Sequence, residues 1–172
     1  MSGEARVELE LAAPRGPIGV AWELGALRTL GEGADEGTPW TIEGDPAGAP
    51  LVRVLSAALE DGTVLGLAAV KADSTDGHGD EEIVAFISRE GGDPQPILDA
   101  RLSTEYDSGG AVRRAGLELW IEESGPPARG AGDRESASEV SRGGLGGEAV
   151  RMEFRLDGVS GIAVYEMLRP VG

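Results

Sequence analysis

The chain has 172 residues, of which 40% are hydrophobic, enough for one domain with a buried core and too many for a disordered protein. Its 31 acidic residues outnumber 15 basic ones, and a formal net charge of −16 would repel a phosphate backbone, so we expect no nucleic-acid partner. Cysteine is absent, which excludes disulfides, cysteine nucleophiles and zinc knuckles.

Targeting and cofactor signals are also missing. No window holds the roughly 18 consecutive apolar residues of a membrane helix, and the first residues lack the basic segment and apolar run of a secretion signal. We therefore expect no membrane span and a cytoplasmic protein. No glycine-rich phosphate loop with its lysine is present, so we expect no cofactor. His78 among acids could contribute only to a weak, nonspecific metal site, so we expect no metal.

Alternation of apolar and polar residues predicts strands in the first half of the chain. Residues 5–11 and 18–24 alternate clearly, and Trp40 to Ile42 form a short candidate. Two longer, nearly continuous apolar runs, 51–59 and 64–71, flank an Asp-Gly turn, which favours a hairpin over a helix. Both faces of this hairpin are apolar, which indicates a central position or a covered outer face.

The second half continues in the same way. Strands are predicted within four further stretches, and the terminal one is a hairpin that turns at Asp157-Gly158. Residues 128–147 are rich in Gly, Ser and charge and lack a period, so we predict a mobile loop with at most one short strand. The four stretches are 83–88, 98–106, 111–122 and 150–168.

Eight to ten strands joined by short turns, with no long helix, predict an all-β domain spanning residues 1–172. A sheet of this size curls, and closing it removes exposed edges, so an antiparallel up-and-down β-barrel is the favoured architecture. The alternative is a two-sheet β-sandwich.

The second half, residues 50–170, resembles the lipocalin-like proteins grouped with carotenoid 1,2-hydratases and AttH-type proteins. The resemblance rests on the order of its turn motifs: Glu60 to Thr63, Gly77 to Asp80, Thr104 to Asp107, Leu156 to Gly161, and Tyr165-Glu166 on the closing strand. It implies a cavity for apolar, polyene or terpenoid-like molecules, and hydration or cyclisation chemistry in some relatives. Family members often carry two barrels, and this chain has room for one, so a homodimer would supply the second.

Three residues are candidates for acid–base chemistry. Glu166 shares a strand face with Ile162, Val164 and Leu168, where a carboxylate is costly to ionise, so it could protonate an alkene or enol. Pairing with an arginine such as Arg114 is the alternative. His78, the only histidine, and Asp80 stand in a polar segment before a strand and could shuttle a proton, or could be simply solvated.

Five aromatic residues are candidates for lining a ligand cavity. Trp120 shares a face with Glu118 and Glu122 and not with leucines, which indicates a polar-rimmed cavity or a subunit contact, and core packing is the alternative. The five are Trp22, Trp40, Phe86, Trp120 and Tyr165.

Three functions follow as hypotheses. The first is an enzyme that binds an apolar molecule in the barrel and catalyses hydration, isomerisation or cyclisation with Glu166 or Asp80. The second is a non-catalytic carrier with the same cavity. The third is a structural or partner-binding module whose barrel is filled by side chains. No Ser-His-Asp arrangement on a Gly-x-Ser-x-Gly turn is present.

Overall fold

The computed structural model describes residues 6–13, 15–30, 39–46, 49, 51–71, 81–90, 92–142 and 144–170. Over these residues the chain is almost entirely antiparallel β-structure, which confirms the all-β prediction. Its elements in chain order are β1 Arg6–Leu11, β2 Ile18–Glu23, α1 Leu24–Arg28, β3 Trp40–Glu43, β4 Leu51–Leu59, β5 Val64–Lys71, β6 Glu81–Ser88, β7 Gln95–Pro96, β8 Asp99–Tyr106, β9 Val112–Trp120, β10 Ala128–Arg142, β11 Leu145–Leu156 and β12 Val159–Pro170.

The larger sheet has nine strands in the order β7-β6-β5-β4-β12-β11-β10-β9-β8, and it curls into a half-barrel. Strands that follow one another in the chain pair with each other except β7 and β8, and β12 returns to pair with β4, as in an up-and-down barrel. The two ends of the sheet, β7 and β8, belong to one segment, 95–106. Ile97 N–H donates to the Ala85 carbonyl of β6, and Leu98 N–H donates to the Trp120 carbonyl of β9. One stretch of chain therefore touches both edges of the half-barrel.

The concave face of the half-barrel holds a continuous apolar core. Because side chains alternate along a strand, every second residue of β4, β11 and β12 points inward. Leu55, Met152 and Phe154 are among these buried residues, and Tyr165 of β12 lies with them. The inside of the curl is therefore packed by side chains over most of its length.

A three-stranded sheet, ordered β1-β2-β3, packs on the outside of the half-barrel. Its Trp22 and Trp40 lie with Val52, Val54 and Phe86 of the large sheet in a second buried cluster. β4 and β5 are consequently buried on both faces, which confirms the prediction of a covered hairpin. The structure thus combines a curled sheet with two-layer packing at β4 and β5, where the small sheet covers the large one.

The predicted loop at 128–147 is wrong, because β10 runs through Ala128–Arg142 and β11 begins at Leu145. The inward positions of β10 include Gly130 and Gly132, on which the Phe154 and Met152 side chains lie. A Cβ on either glycine would stand 2.9 Å from Phe154 Cζ or from Met152 Sδ. Glycines therefore replace the large apolar residues that would have given the segment its period, and a bulge between Arg134 and Ser136 shifts the remaining alternation.

The Asp-Gly turns were predicted correctly. Asp157 and Gly158 have φ of 47° and 86°, as a two-residue type I′ hairpin requires. At the β4–β5 turn Gly62 has φ of 90°, and Thr63 N–H donates to Asp61 Oδ1 at 3.0 Å. This hydrogen bond lowers the pKa of Asp61.

Candidate functional site

A charged residue lies inside the apolar half-barrel. Arg53 is on β4 between the inward-facing Leu51 and Leu55, and its relative exposure is 0%. Removing a guanidinium from water costs several kcal/mol unless its hydrogen bonds are satisfied. The neighbours of Arg53 therefore decide whether it is a defect or part of a site.

All five N–H groups of Arg53 have acceptors. Nε donates to Glu81 Oε2 at 2.9 Å, and Nη2 donates to Glu81 Oε1 and to the Leu102 carbonyl, the latter at 3.1 Å. Nη1 donates to Thr104 Oγ1 and to the Tyr165 hydroxyl, both at 3.1 Å. The guanidinium thus joins β4, β6, β8 and β12, and it saturates its donor capacity.

Burial and hydrogen bonding determine which groups of this cluster are charged at neutral pH. Burial would lower the pKa of Arg53, but hydrogen bonds to Glu81 and Tyr165 and the charge of Glu81 outweigh it, so that the pKa of Arg53 is raised. Burial raises the pKa of Tyr165, although Arg53 and Thr104 oppose the shift. Tyr165 is therefore a neutral phenol beside a charged guanidinium.

The hydroxyls of Thr104 and Tyr165 form the part of the cluster that faces away from Glu81. Their oxygens are 2.6 Å apart, and either hydroxyl can be the donor. Tyr165 is completely buried, whereas Thr104 is half-buried. Two residues further along β8, the Tyr106 hydroxyl donates to Met167 Sδ at 3.8 Å, and Met167 lies directly opposite Arg53 on the neighbouring strand.

Beside Tyr106 and Met167 the half-barrel opens to solvent. A depression of about 610 Å³ lies between the β8–β9 turn, the end of β10, the start of β11 and the end of β12. Its apolar part is formed by Tyr106, Val112, Val140 and Met167, and its polar part includes Glu139, Glu148 and Arg169. We call this depression the mouth.

Four of the five predicted aromatic residues are buried, three of them between the two sheets and one on the concave face. Trp22, Trp40 and Phe86 lie in the cluster between the two sheets, away from the concave face. The Trp22 and Phe86 rings meet edge to face with centroids 5.3 Å apart, and Trp22 Nε1 donates to Ser56 Oγ at 3.0 Å. Tyr165 is on the concave face.

Trp120 is half-buried on the outer surface, and the Arg101 guanidinium lies 5.4 Å from the centroid of its ring. The prediction that it stands apart from the leucines is therefore confirmed. Arg114, on the same outward face of β9, pairs with Asp133 at 2.8 Å and not with Glu166.

The predicted acid–base residues do not converge in the described structure. Glu166 is 2% exposed, as expected for a carboxylate on an apolar face, but that face is the one covered by the small sheet. Trp40 Nε1 donates to Glu166 Oε2 at 2.7 Å. Tyr165 and Glu166 thus point to opposite sides of β12. His78 and Asp80 lie outside the described residues.

Sequence reasoning missed Arg53, Glu81 and Thr104 as members of a site. The available signal was Arg53 itself, a charge within an almost continuous apolar strand of a hairpin that was predicted to be buried. Its acceptors could not be read from the sequence, because they stand between 28 and 112 positions away.

Two other depressions of the described surface are weaker candidates for a ligand site. One, about 1140 Å³, runs along the outer face of β10 to β12 and carries mixed charges. Two of its arginines are already paired, Arg114 with Asp133 and Arg129 with Glu118. Another, about 660 Å³, reaches from Glu81 and Ile83 across to β9. Neither is lined by Tyr106 or Met167.

Two further searches of the described residues are negative. They contain no group of three or more His, Cys, Asp or Glu side chains that could hold a metal ion. Nor does the described part of the chain include a helix with the length and apolarity to cross a membrane.

Comparison with known proteins adds no family. No protein-family model matches the chain, and no curated protein is found to be similar to it. The resemblance to the lipocalin-like hydratase group therefore stays a prediction.

Proposed function

We propose that the protein binds a small, mainly apolar molecule at the mouth of its half-barrel. The observation that carries this proposal is the Arg53 cluster, a group of satisfied polar side chains within the apolar concave face. Arg53 pairs across β4 and β12 with Met167, which lines the mouth. Small-molecule sites combine apolar walls with a few converging polar groups, and they occur preferentially in the mouths of β-barrels.

The shape and lining of the mouth support the proposal. Its volume of about 610 Å³ lies within the range of small-molecule sites. Tyr106 has 45% of its surface exposed, whereas most large apolar side chains of the described chain are buried. An exposed ring beside buried Val112 and Met167 is what an apolar ligand would cover.

The same geometry favours binding without catalysis by Glu166. Its carboxylate contacts Trp40 between the two sheets, so a ligand at the mouth would be separated from it by the backbone of β12. Tyr165 carries a raised pKa, which makes the phenol a poor general base at neutral pH. We therefore prefer the carrier over the hydratase, isomerase or cyclase, with its site at the mouth, since the interior is packed by side chains.

Two finer predictions accompany the proposal. A cytoplasmic location stays a prediction, and so does a homodimer, which the resemblance to two-barrel proteins suggests. Light scattering of the purified protein measures the second directly.

The proposal is tested with N-phenyl-1-naphthylamine, a neutral apolar probe whose fluorescence rises in an apolar environment. We expect one probe to bind per chain. The Tyr106→Asp variant should bind at least about tenfold more weakly, because it puts a charge into the apolar wall.

Leu98→Asp is the matched control, since Leu98 is 59% exposed and lies outside the mouth. It introduces the same charge and should leave the affinity within about twofold. Equal weakening by both variants, or full affinity in Tyr106→Asp, would refute the mouth as the site.

A further inference from the structure

We infer that the ligand presents a neutral hydrogen-bond acceptor, such as a ketone, ester or ether oxygen, to the hydroxyl pair of Thr104 and Tyr165. This inference rests on the proposed function and specifies the ligand class. It follows from counting donors and acceptors in the buried cluster.

The count begins with the guanidinium. Each N–H of Arg53 is already used, by Glu81, Thr104, Tyr165 and the Leu102 carbonyl. A ligand carboxylate would therefore find no vacant donor on Arg53. It would also stand near Glu81 in a protein of net charge −16, which adds repulsion to the cost of burying it.

The hydroxyl pair leaves one donor over. Thr104 Oγ1 and Tyr165 OH each accept from Arg53 Nη1, and one of them donates to the other. Two hydroxyls carry two protons, so the second proton has no acceptor among the contacts of the described residues. A ligand oxygen would accept this proton.

A ligand cation fits this position poorly. Both hydroxyl oxygens already accept a charged N–H of Arg53, so an ammonium placed there would face a like charge at short range. The pair also has one lone pair left, but both oxygens already accept a hydrogen bond from Arg53, so the proton is the group that still needs a partner. A group that only accepts hydrogen bonds matches the proton that is left over.

Tyr106 and Met167 line the mouth, and each stands two residues from a member of the hydroxyl pair, Thr104 on β8 and Tyr165 on β12. Tyr106 is close enough to Tyr165 to contribute to the raised pKa of the latter. Its contact with Met167 Sδ at 3.8 Å is weak, and the Met167 side chain is flexible at its end. Thr104, which is half-buried, is the member of the pair that a ligand oxygen can reach.

The test uses a series with one ten-carbon chain: 2-decanone, decanoate and decylammonium. Calorimetric titration of the wild-type protein should give 2-decanone the highest affinity, by about tenfold over either charged compound. Thr104→Val should weaken 2-decanone roughly tenfold, and Thr104→Ser, which keeps the hydroxyl, should restore it. Affinity for N-phenyl-1-naphthylamine, which offers no oxygen, should stay within about twofold in all three proteins.

The outcomes separate this inference from the proposed function. Tightest binding of decylammonium or decanoate, or a Thr104→Ser variant as weak as Thr104→Val, overturns the acceptor class while the naphthylamine still binds. If neither the naphthylamine nor the decane series binds, the proposed function and this inference fail together. The wild-type ranking is decisive even if Thr104→Val does not fold.

Discussion

At the scale of single residues, Arg53 organises the inner face of the half-barrel. It is completely buried, and its acceptors come from three other strands, Glu81 of β6, Leu102 and Thr104 of β8, and Tyr165 of β12. Replacing a buried ion pair by apolar residues is often neutral for stability. A charged cluster kept beside an opening of the barrel is therefore better explained by binding than by stability.

The protonation of Tyr165 gives a pH prediction. Because burial raises the pKa of Tyr165 in the folded protein, the unfolded chain loses the phenolic proton first. The stability due to the neutral phenol is complete below about pH 10 and is lost as the pH rises through the folded value, at up to about 1.4 kcal/mol per pH unit.

Urea denaturation between pH 8 and pH 12 measures this loss. Tyr165→Phe should lose less free energy of unfolding than the wild type over that interval. Parallel losses in the two proteins would show that the pKa of Tyr165 is not raised by folding.

At the scale of elements, the β4–β5 hairpin is the part of the sheet covered on both sides. Gly66 of β5 lies where the Trp22 and Phe86 rings press on the strand. A Cβ there would stand 2.5 Å from Trp22 Cε2 and 2.6 Å from Phe86 Cε1. The small sheet can approach the half-barrel this closely because position 66 carries no side chain.

Gly66→Ala should therefore destabilise the protein by about 1–3 kcal/mol or more, since two buried rings must move. Gly92→Ala is the control, because its nearest neighbour is 3.5 Å away and its φ is not in the left-handed region. It should change the free energy of unfolding by no more than about 0.5 kcal/mol. An alanine at position 66 that is equally neutral would contradict the packing of Trp22 on β5.

At the scale of the whole molecule, the sequence predicts strands better than it predicts what each face touches. Alternation predicted most of the strands, and it failed at β10, where Gly130 and Gly132 replace large inward residues. The alternation of side chains along β12 puts Tyr165 and Glu166 on opposite faces of the sheet, but it does not say which of them is on the concave face. That depends on the small sheet, whose Trp40 reaches Glu166 from 126 positions away.

The central claim, that the mouth takes an apolar ligand, is tested most directly by NMR of methionine methyl groups. The chain has three methionines, and two of them, Met152 and Met167, lie on the concave face. Met167 lines the mouth, whereas Met152 is completely buried against Gly132. With methyl-labelled methionine, and Met167→Leu to assign the signals, titration with 2-decanone should shift the Met167 methyl resonance and leave that of Met152 in place. A bound ketone that leaves the Met167 resonance unmoved would contradict the account.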